Sequence, residues 1–493
     1  MGTGAGRCPS IHSGFLKEKG TDLFSTVENK SVPFFSHKKP QEVSLEQATN
    51  APESAAAPPG NALFGPRYRH YVLGVLFLGY VFNTIDRGIL GVLLEPIRLE
   101  FGVSDTLLGL LGGIAFALFY STVGIFLAAL ADRTNRRNVL AVCIALWSIM
   151  TALCGTAVNF TMLLLARIGT AVGEAGGSPP SHSLISDYYP LKERATALSI
   201  YALGIPIGGM IGVFCAGWLN EFYGWRMTFI IIGLPGVLVA LLVRLTVTEP
   251  PRGYSDQVSA ARANAAAPAI PYVLRYLWNL KSFRHLCLAA GLHSFVWYGG
   301  STFNAIFFIR THGMSTGEAG TWLSMFALIG TTGTFCGGYI ADKLSVRRKD
   351  RRWYLWVPGI ATLVMVPFQF SSYLSADLWY TIPSFCVMVV LASMFFGPSF
   401  AMTQALAPLR MRSIATSLLL FIQTLIGLGL GPLFVGIISD HLAPALGARA
   451  IAWSLVIVGM VNIWAACHYF WGSRSLRRDL DATAALSKAD NSD

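Results

Sequence analysis

Charge is scarce in this chain. Only 13% of its 493 residues are Asp, Glu, Lys or Arg, against about 25% in an average soluble domain. Hydrophobic residues make up 53% and the mean hydropathy is +0.53, which excludes an ordinary water-soluble globular protein. The formal net charge of +11 would suit nucleic acid if the basic residues shared a soluble face. They lie instead in short loops between apolar runs, where membrane topology puts them, so no nucleic-acid partner is expected. No G-x-x-x-x-G-K-[ST] loop is present, so direct ATP drive is unsupported. No H-E-x-x-H or repeated H-x-x-x-D cluster is present either, so the expectation is a protein that is not an enzyme, with no metal and no organic cofactor. None of the eight cysteines forms a C-x-x-C pair. Cys8 precedes the apolar region, and the other seven fall inside apolar runs, reading as small buried side chains rather than metal ligands or a disulfide framework. No apolar stretch precedes Tyr71, so no cleavable signal peptide is expected. Position 6 is Gly6 rather than Ser or Thr, so the myristoylation pattern fails.

What is abundant is apolar sequence in runs of roughly 20 residues, the length that crosses about 30 Å of hydrocarbon as helix. A backbone in lipid must satisfy its own hydrogen bonds, so the expected fold is an all-α membrane protein. The runs fall at 70–94, 105–131, 137–158, 161–186, 195–220, 226–247, 283–310, 318–342, 353–373, 376–403, 412–439 and 448–472. They predict twelve transmembrane helices in two pseudo-symmetric six-helix halves, 67–247 and 283–472. Residues 1–66, polar with the stretch A-A-A-P-P-G, are expected to be a disordered tail, 248–282 a central linker and 473–493 a short charged tail. Basic residues crowd the loops after the second, fourth, sixth, eighth and tenth runs (Arg133, Arg136, Arg137; Lys192, Arg194; Arg252, Arg262, Arg275, Lys281, Arg284; Lys343 through Arg352; Arg410, Arg412), while the alternate loops hold only Arg98, Arg226, Arg310 and Arg449. That bias puts both termini in the cytoplasm.

The halves repeat one another. The second run ends A-A-L-A-D-R-T-N-R-R and the eighth G-Y-I-A-D-K-L-S-V-R-R, each with an acid, Asp132 or Asp342, closing the helix before a basic cluster. Gly208, Gly212 and Gly217 in the fifth run match Gly427, Gly431 and Gly436 in the eleventh, each pair 219 apart. Parallel halves with substrate between them are a known transporter plan. Asp132 and Asp342 at helix ends can pair with basic groups such as Arg133, Arg136 and Arg137. Such contacts would form when the cytoplasmic side closes and break when it opens.

The most informative stretch is A-R-I-G-T-A-V-G-E-A-G-G-S-P-P, residues 166–180. Arg167 and Glu174 are almost two turns apart and share a helix face, while Gly169, Gly173 and Gly177 form a second stripe suited to close packing. In the first run, Asp86 and Arg87 also lie at membrane depth and point about 100° apart, with Asn83 on the face they share. Ionisable groups there cost about 2.5–3.5 kcal/mol each on insertion scales and mark ion or substrate pathways. The alternative for Arg167 and Glu174 is a structural ion pair that fixes helix packing. The second half holds His293, Asn304, Gln404 and Gln423 instead, which suggests that the first half couples ions while the second shapes a cavity. His182 and His293 each stand alone in an apolar segment, where a packed histidine is commoner than a proton site. Trp297 and Tyr298 are candidates to line an apolar cavity.

The acid-plus-basic loop resembles the major facilitator signature G-x-x-x-D-R/K-x-G-R/K-R/K, with Ala128 and Asn135 standing at its two glycines. N-T-I-D-R in the first run, A-D-R-T-N-R-R after the second and A-R-I-G-T-A-V-G-E-A in the fourth resemble the Spinster family of facilitator transporters. The likeness covers about residues 70–250 closely and the second half by architecture. It implies proton-coupled transport by alternating access, with Asp86 and Glu174 as protonatable residues, and Arg87 and Arg167 as their partners and as contacts for a head group. It also implies an amphipathic, lipid-like substrate such as a lysophospholipid or sphingolipid, and the chain is expected to act as a monomer in the bilayer. A proton-driven exporter of drugs or small organic solutes, and a membrane sensor without transport, are the competing expectations.

Overall fold

The structure, a computed structural model, describes residues 64–255, 269–408 and 411–489, together with the isolated residue 2. The expected tail up to residue 63, the linker residues 256–268 with Arg262, and Arg410 lie outside the described residues. What is described is helical. Among the described residues, eight helical runs are long and apolar enough to cross a membrane, and two of these, Lys192–Thr246 and Arg412–Leu486, are 55 and 75 residues long, too long for one crossing.

The described helices fall where the twelve runs place them, at Pro66–Phe101, Asp105–Arg133, Arg136–Cys154, 160–188, 191–223, 225–246, Lys281–His312, Thr316–Arg348, Trp353–Leu374, Leu378–Ala405, 412–446 and 450–489. Local chemistry sets their ends. Asn135, Asn159 and Ser315 accept hydrogen bonds from backbone amides at their helix starts, satisfying donors that a helix leaves open. Gly224, at φ 78°, breaks the fifth helix from the sixth, a backbone angle that glycine adopts without strain. The fourth helix breaks at Gly176 and restarts with Ser178, Pro179 and Pro180. Two extents differ from expectation. The linker carries a helix, Ile270–Asn279, held by buried Val273 and Leu277. The last helix runs on to Ala489, because Leu476 packs inward and Asp479 accepts from the amide and hydroxyl of Ser282 at the start of the seventh helix.

One hydrophobic core joins the halves, including Ile89, Leu90 and Leu93 of the first helix and Phe303, Ile306, Phe307 and Phe308 of the seventh. Towards the end that bears the linker and the loops at 134–135 and 349–352, the halves have separate cores, one built around Trp147 and Tyr201, the other around Phe283 and Tyr469. The glycine repeat explains the joined end. A Cβ on Gly217 would lie 2.5 Å from the Thr316 carbonyl of the eighth helix, and one on Gly436 2.2 Å from the Asp105 carbonyl of the second. Each half thus presses a glycine of the repeat against a helix of the other.

Candidate functional site

Glu174 and Arg87 form the centre of the site. Arg87 Nε donates to Glu174 Oε2 at 2.5 Å, linking the first and fourth helices. The Glu174 side chain is wholly enclosed, whereas Arg87 keeps 35% of its side-chain surface accessible. Arg167 does not pair with Glu174; its Nη1 donates to the Asp86 carbonyl at 3.3 Å. Asp86 is itself buried. Both cations sit over aromatic rings of the second helix, which nothing in the sequence singles out. The Arg87 guanidinium is 4.5 Å from the Tyr120 ring centre, and that of Arg167 is 4.9 Å from Phe116, positions in which the ring quadrupole attracts a cation.

The fourth helix holds this arrangement through its glycine stripe. A Cβ on Gly169 would meet Met150 Sδ at 2.7 Å, and one on Gly173 would meet the Trp147 amide nitrogen at 2.6 Å, so the stripe packs against the third helix as expected. Glu174 Oε1, Arg167 Nε and Asn83 Nδ2 are buried without a hydrogen-bond partner. Buried polar atoms are nearly always partnered, so these three stand out within the helical interior. Beside it, Tyr80, Asn83, Trp147, Gly177, Ser181 and Tyr201 line a cavity of about 10 Å³, enough for one water centre.

Tyr298 of the seventh helix is half-buried, and a Cβ on Gly427 would lie 3.0 Å from its ring. Trp297 is half-buried and packs edge-on against Phe396. Gln404 is exposed near the end of the tenth helix. His293 fits the packed reading of a lone histidine in an apolar segment. It is buried inside the second half, where one ring nitrogen meets the Ala392 carbonyl at 2.9 Å and the other the Thr362 hydroxyl at 3.2 Å. Both nitrogens are used, so it is a packing residue.

At the linker-bearing face, Arg136 is enclosed and pairs with Asp187 and Glu249 within its own half. Arg137 donates its amide to Glu249 and a guanidinium nitrogen to the Val247 carbonyl. Arg133 and Asp132 are exposed, as is Asp342, which accepts from Tyr354 of its own half. In this conformation Asp132 and Asp342 make no ion pair across the halves among the described residues.

The opposite face is shut by contacts that the sequence does not announce. Arg310 of the seventh helix donates to Glu95 Oε2 at 2.6 and 2.8 Å and to Asp105 at 2.7 and 2.8 Å. Asp440 accepts from the amides of Asp105 and Thr106 at 2.9 and 2.8 Å, capping the second helix from the other half. Glu221 does the same for the eighth, accepting from the Gly317 amide at 2.9 Å and the Ser315 hydroxyl at 2.8 Å. Glu221 and Asp440 are 219 positions apart, the spacing of the glycine repeat. A signal for these two acids is therefore present, four residues beyond Gly217 and Gly436.

Two six-helix halves, joined at one face and carrying buried charged groups at membrane depth, define a secondary transporter scaffold. The chain belongs to the Major Facilitator Superfamily, whose family model matches residues 76–428. It is 32% identical over 437 residues to an MFS-type efflux pump of Mycolicibacterium smegmatis, covering 87% of this chain and 99% of the relative. Two crystal structures of a bacterial homolog to the human lysosomal transporter Spinster, inward-facing and unoccupied or occupied, match with TM-scores of 0.78 and 0.74. Their identities are 34% and 33%, over 84% of this chain and 99% of theirs.

Proposed function

We propose that this transporter is proton-coupled and moves an amphipathic, lipid-like substrate, such as a lysophospholipid or sphingolipid, by alternating access. The observation that carries the reading is the enclosed Glu174 carboxylate, with one oxygen on Arg87 and the other unpartnered. Protonating Glu174 removes the charge that holds Arg87. The guanidinium is then free to meet an anionic group, and loss of the proton draws it back to Glu174. A proton shifts a conformational equilibrium only if the two states bind it unequally, and an ion pair that forms in one state supplies that inequality. Asp86, also buried on the first helix, can share that titration. Arg87 and Arg167, stacked on Tyr120 and Phe116, present charge beside aromatic surface, which suits a head group joined to a tail.

The positive bias of the linker-bearing face makes that face cytoplasmic, so the conformation is cytoplasm-open, its outer side closed by Arg310, Glu221 and Asp440. The location is the inner membrane of a bacterium, with both ends of the helical region inside. A second reading, export of drugs or small organic solutes, is favoured by the relative named as an efflux pump. Flux into proteoliposomes under an imposed pH gradient separates the two. Competition by lysolipids but not by sugars or cationic drugs supports the lipid reading; competition by drugs alone supports the second.

A further inference from the structure

The last helix turns one apolar stripe away from the rest of the molecule. Trp453, Ile457, Met460 and Trp464 are exposed along it at intervals of three and four, the spacing of one helix face. In a membrane protein that face meets acyl chains. The stripe ends at Trp471, which is 42% exposed, and there the surface changes character. Lys281, His285, Trp471, Arg474, Ser475 and Arg478 frame a depression of about 280 Å³ between the seventh and last helices.

Three cations border this depression with little to balance them. Lys281 and Arg474 make no ion pair among the described residues, and Arg478 reaches only the adjacent Asp479, at 3.3 Å. Asp479 is already engaged, with its other oxygen on the amide and hydroxyl of Ser282. The floor is rigid. His285 and His468 face each other through ring nitrogens 2.8 Å apart, Trp471 packs edge-on against both, and a Cβ on Gly472 would lie 3.1 Å from His285 Cβ. The positive bias of this face accounts for cations here. It does not account for a concave site with a fixed aromatic wall at the end of a lipid-facing stripe. Arg347, Arg348 and Lys349 serve as the contrast, an exposed basic run at the end of the eighth helix that lines no part of this depression.

We propose that this depression binds the phosphate head group of an anionic membrane lipid, whose acyl chains lie along the stripe from Trp471 to Trp453. Basic pockets between helices on the cytoplasmic side are suited to such head groups. The lipid would bridge the seventh and last helices at their cytoplasmic ends. The site lies on the outside of the second half, apart from Arg87, Arg167 and Glu174, and does not depend on the substrate reading.

The test uses the full-length purified protein in neutral detergent, with melting temperature and native mass spectrometry as readouts. Phosphatidylglycerol, phosphatidylcholine and inorganic phosphate are titrated separately. Phosphatidylglycerol is expected to raise the melting temperature and remain bound, phosphatidylcholine to do so far less, and phosphate alone to do little. Substituting Lys281, Arg474 and Arg478 together by Gln should weaken phosphatidylglycerol binding on the order of 100-fold, from about one kcal/mol per cation. The single variant Lys281→Gln should lose part of that and guards against misfolding of the triple. Equal binding of both lipids would overturn the proposal. So would equal weakening by Arg347→Gln with Arg348→Gln, which would reduce the effect to general surface charge. An equal response to inorganic phosphate would make the site one for the free anion and overturn the lipid assignment.

Discussion

Arg310→Gln should release the closed outer face. The guanidinium makes four short contacts to two carboxylates of the other half, and its side chain is only 15% exposed, with Glu95 and Asp105 at 7% and 6%. Removing one partner of a buried ion pair costs about 3–5 kcal/mol, because the remaining charge stays buried and uncompensated. Arg98 still pairs with Glu95 at 2.8 Å, so the lower end applies, about 3 kcal/mol. Once the outer face opens, these carboxylates meet water and the penalty largely disappears. The substitution therefore acts on the equilibrium between states, and about 1.4 kcal/mol per decade gives a shift of about 100-fold towards outward-open. Spin labels at Ser104 and Ala448, both exposed on the outer face, would report it in a variant cleared of native cysteines. Arg310→Lys, which keeps charge but not the fork, should fall between. A distance distribution that is the same in wild type and Arg310→Gln would refute the reasoning.

Gly173→Ala should lower the melting temperature and impair transport together, because its Cβ would sit 2.6 Å from the Trp147 amide nitrogen; overpacking of this kind costs about 1–3 kcal/mol, and an unchanged melting curve would contradict the packing. Asp132→Asn should leave the cytoplasm-open state intact and disfavour closure of that face, since Asp132 is exposed here, an effect visible between labels on the loops after the second and eighth helices. Asp350, in the loop before the ninth helix, is pushed down to about 2 by Arg352 and then Arg477. Its folded pKa lies below the unfolded value of about 3.9. Its stabilisation is thus complete above about pH 4 and lost as pH falls through about 2. Melting temperatures of wild type and Asp350→Asn should accordingly differ at neutral pH and converge in acid.

Most of the helical architecture is legible in the sequence because spans of lipid-crossing length and basic loops are written directly into it. The end of the last helix is not. Its later turns are charged, so hydropathy stops near residue 472, and the burial of Leu476 and Asp479 against the seventh helix is a tertiary fact. The four ionisable residues of the first and fourth helices are visible, since charge stands out in apolar sequence. Their pairing is not. Arg87 meets Glu174 because Gly208 and Gly212 let the fifth helix press on the first and the glycine stripe of the fourth fixes it on the third. Phe116 and Tyr120 are hidden for the opposite reason, as aromatics in a span where almost every residue is apolar. Glu95, Asp105 and Arg310 look like loop charges, and only the fold brings the helix ends together. His293 has the polarity of a cavity residue, yet Ala392 and Thr362 satisfy it.

The most direct test of the central claim is proton-driven flux by Glu174→Gln in liposomes, alongside its conformational response to pH. Gln keeps the shape of the protonated side chain and removes the titration. The variant should fold, insert and bind substrate. It should lose most transport driven by a pH gradient, and its distribution between inward-open and outward-open states should respond much less to pH than that of the wild type. Full pH-dependent transport by Glu174→Gln would contradict the claim, leaving the Glu174–Arg87 pair a packing element and moving the coupling site to Asp86.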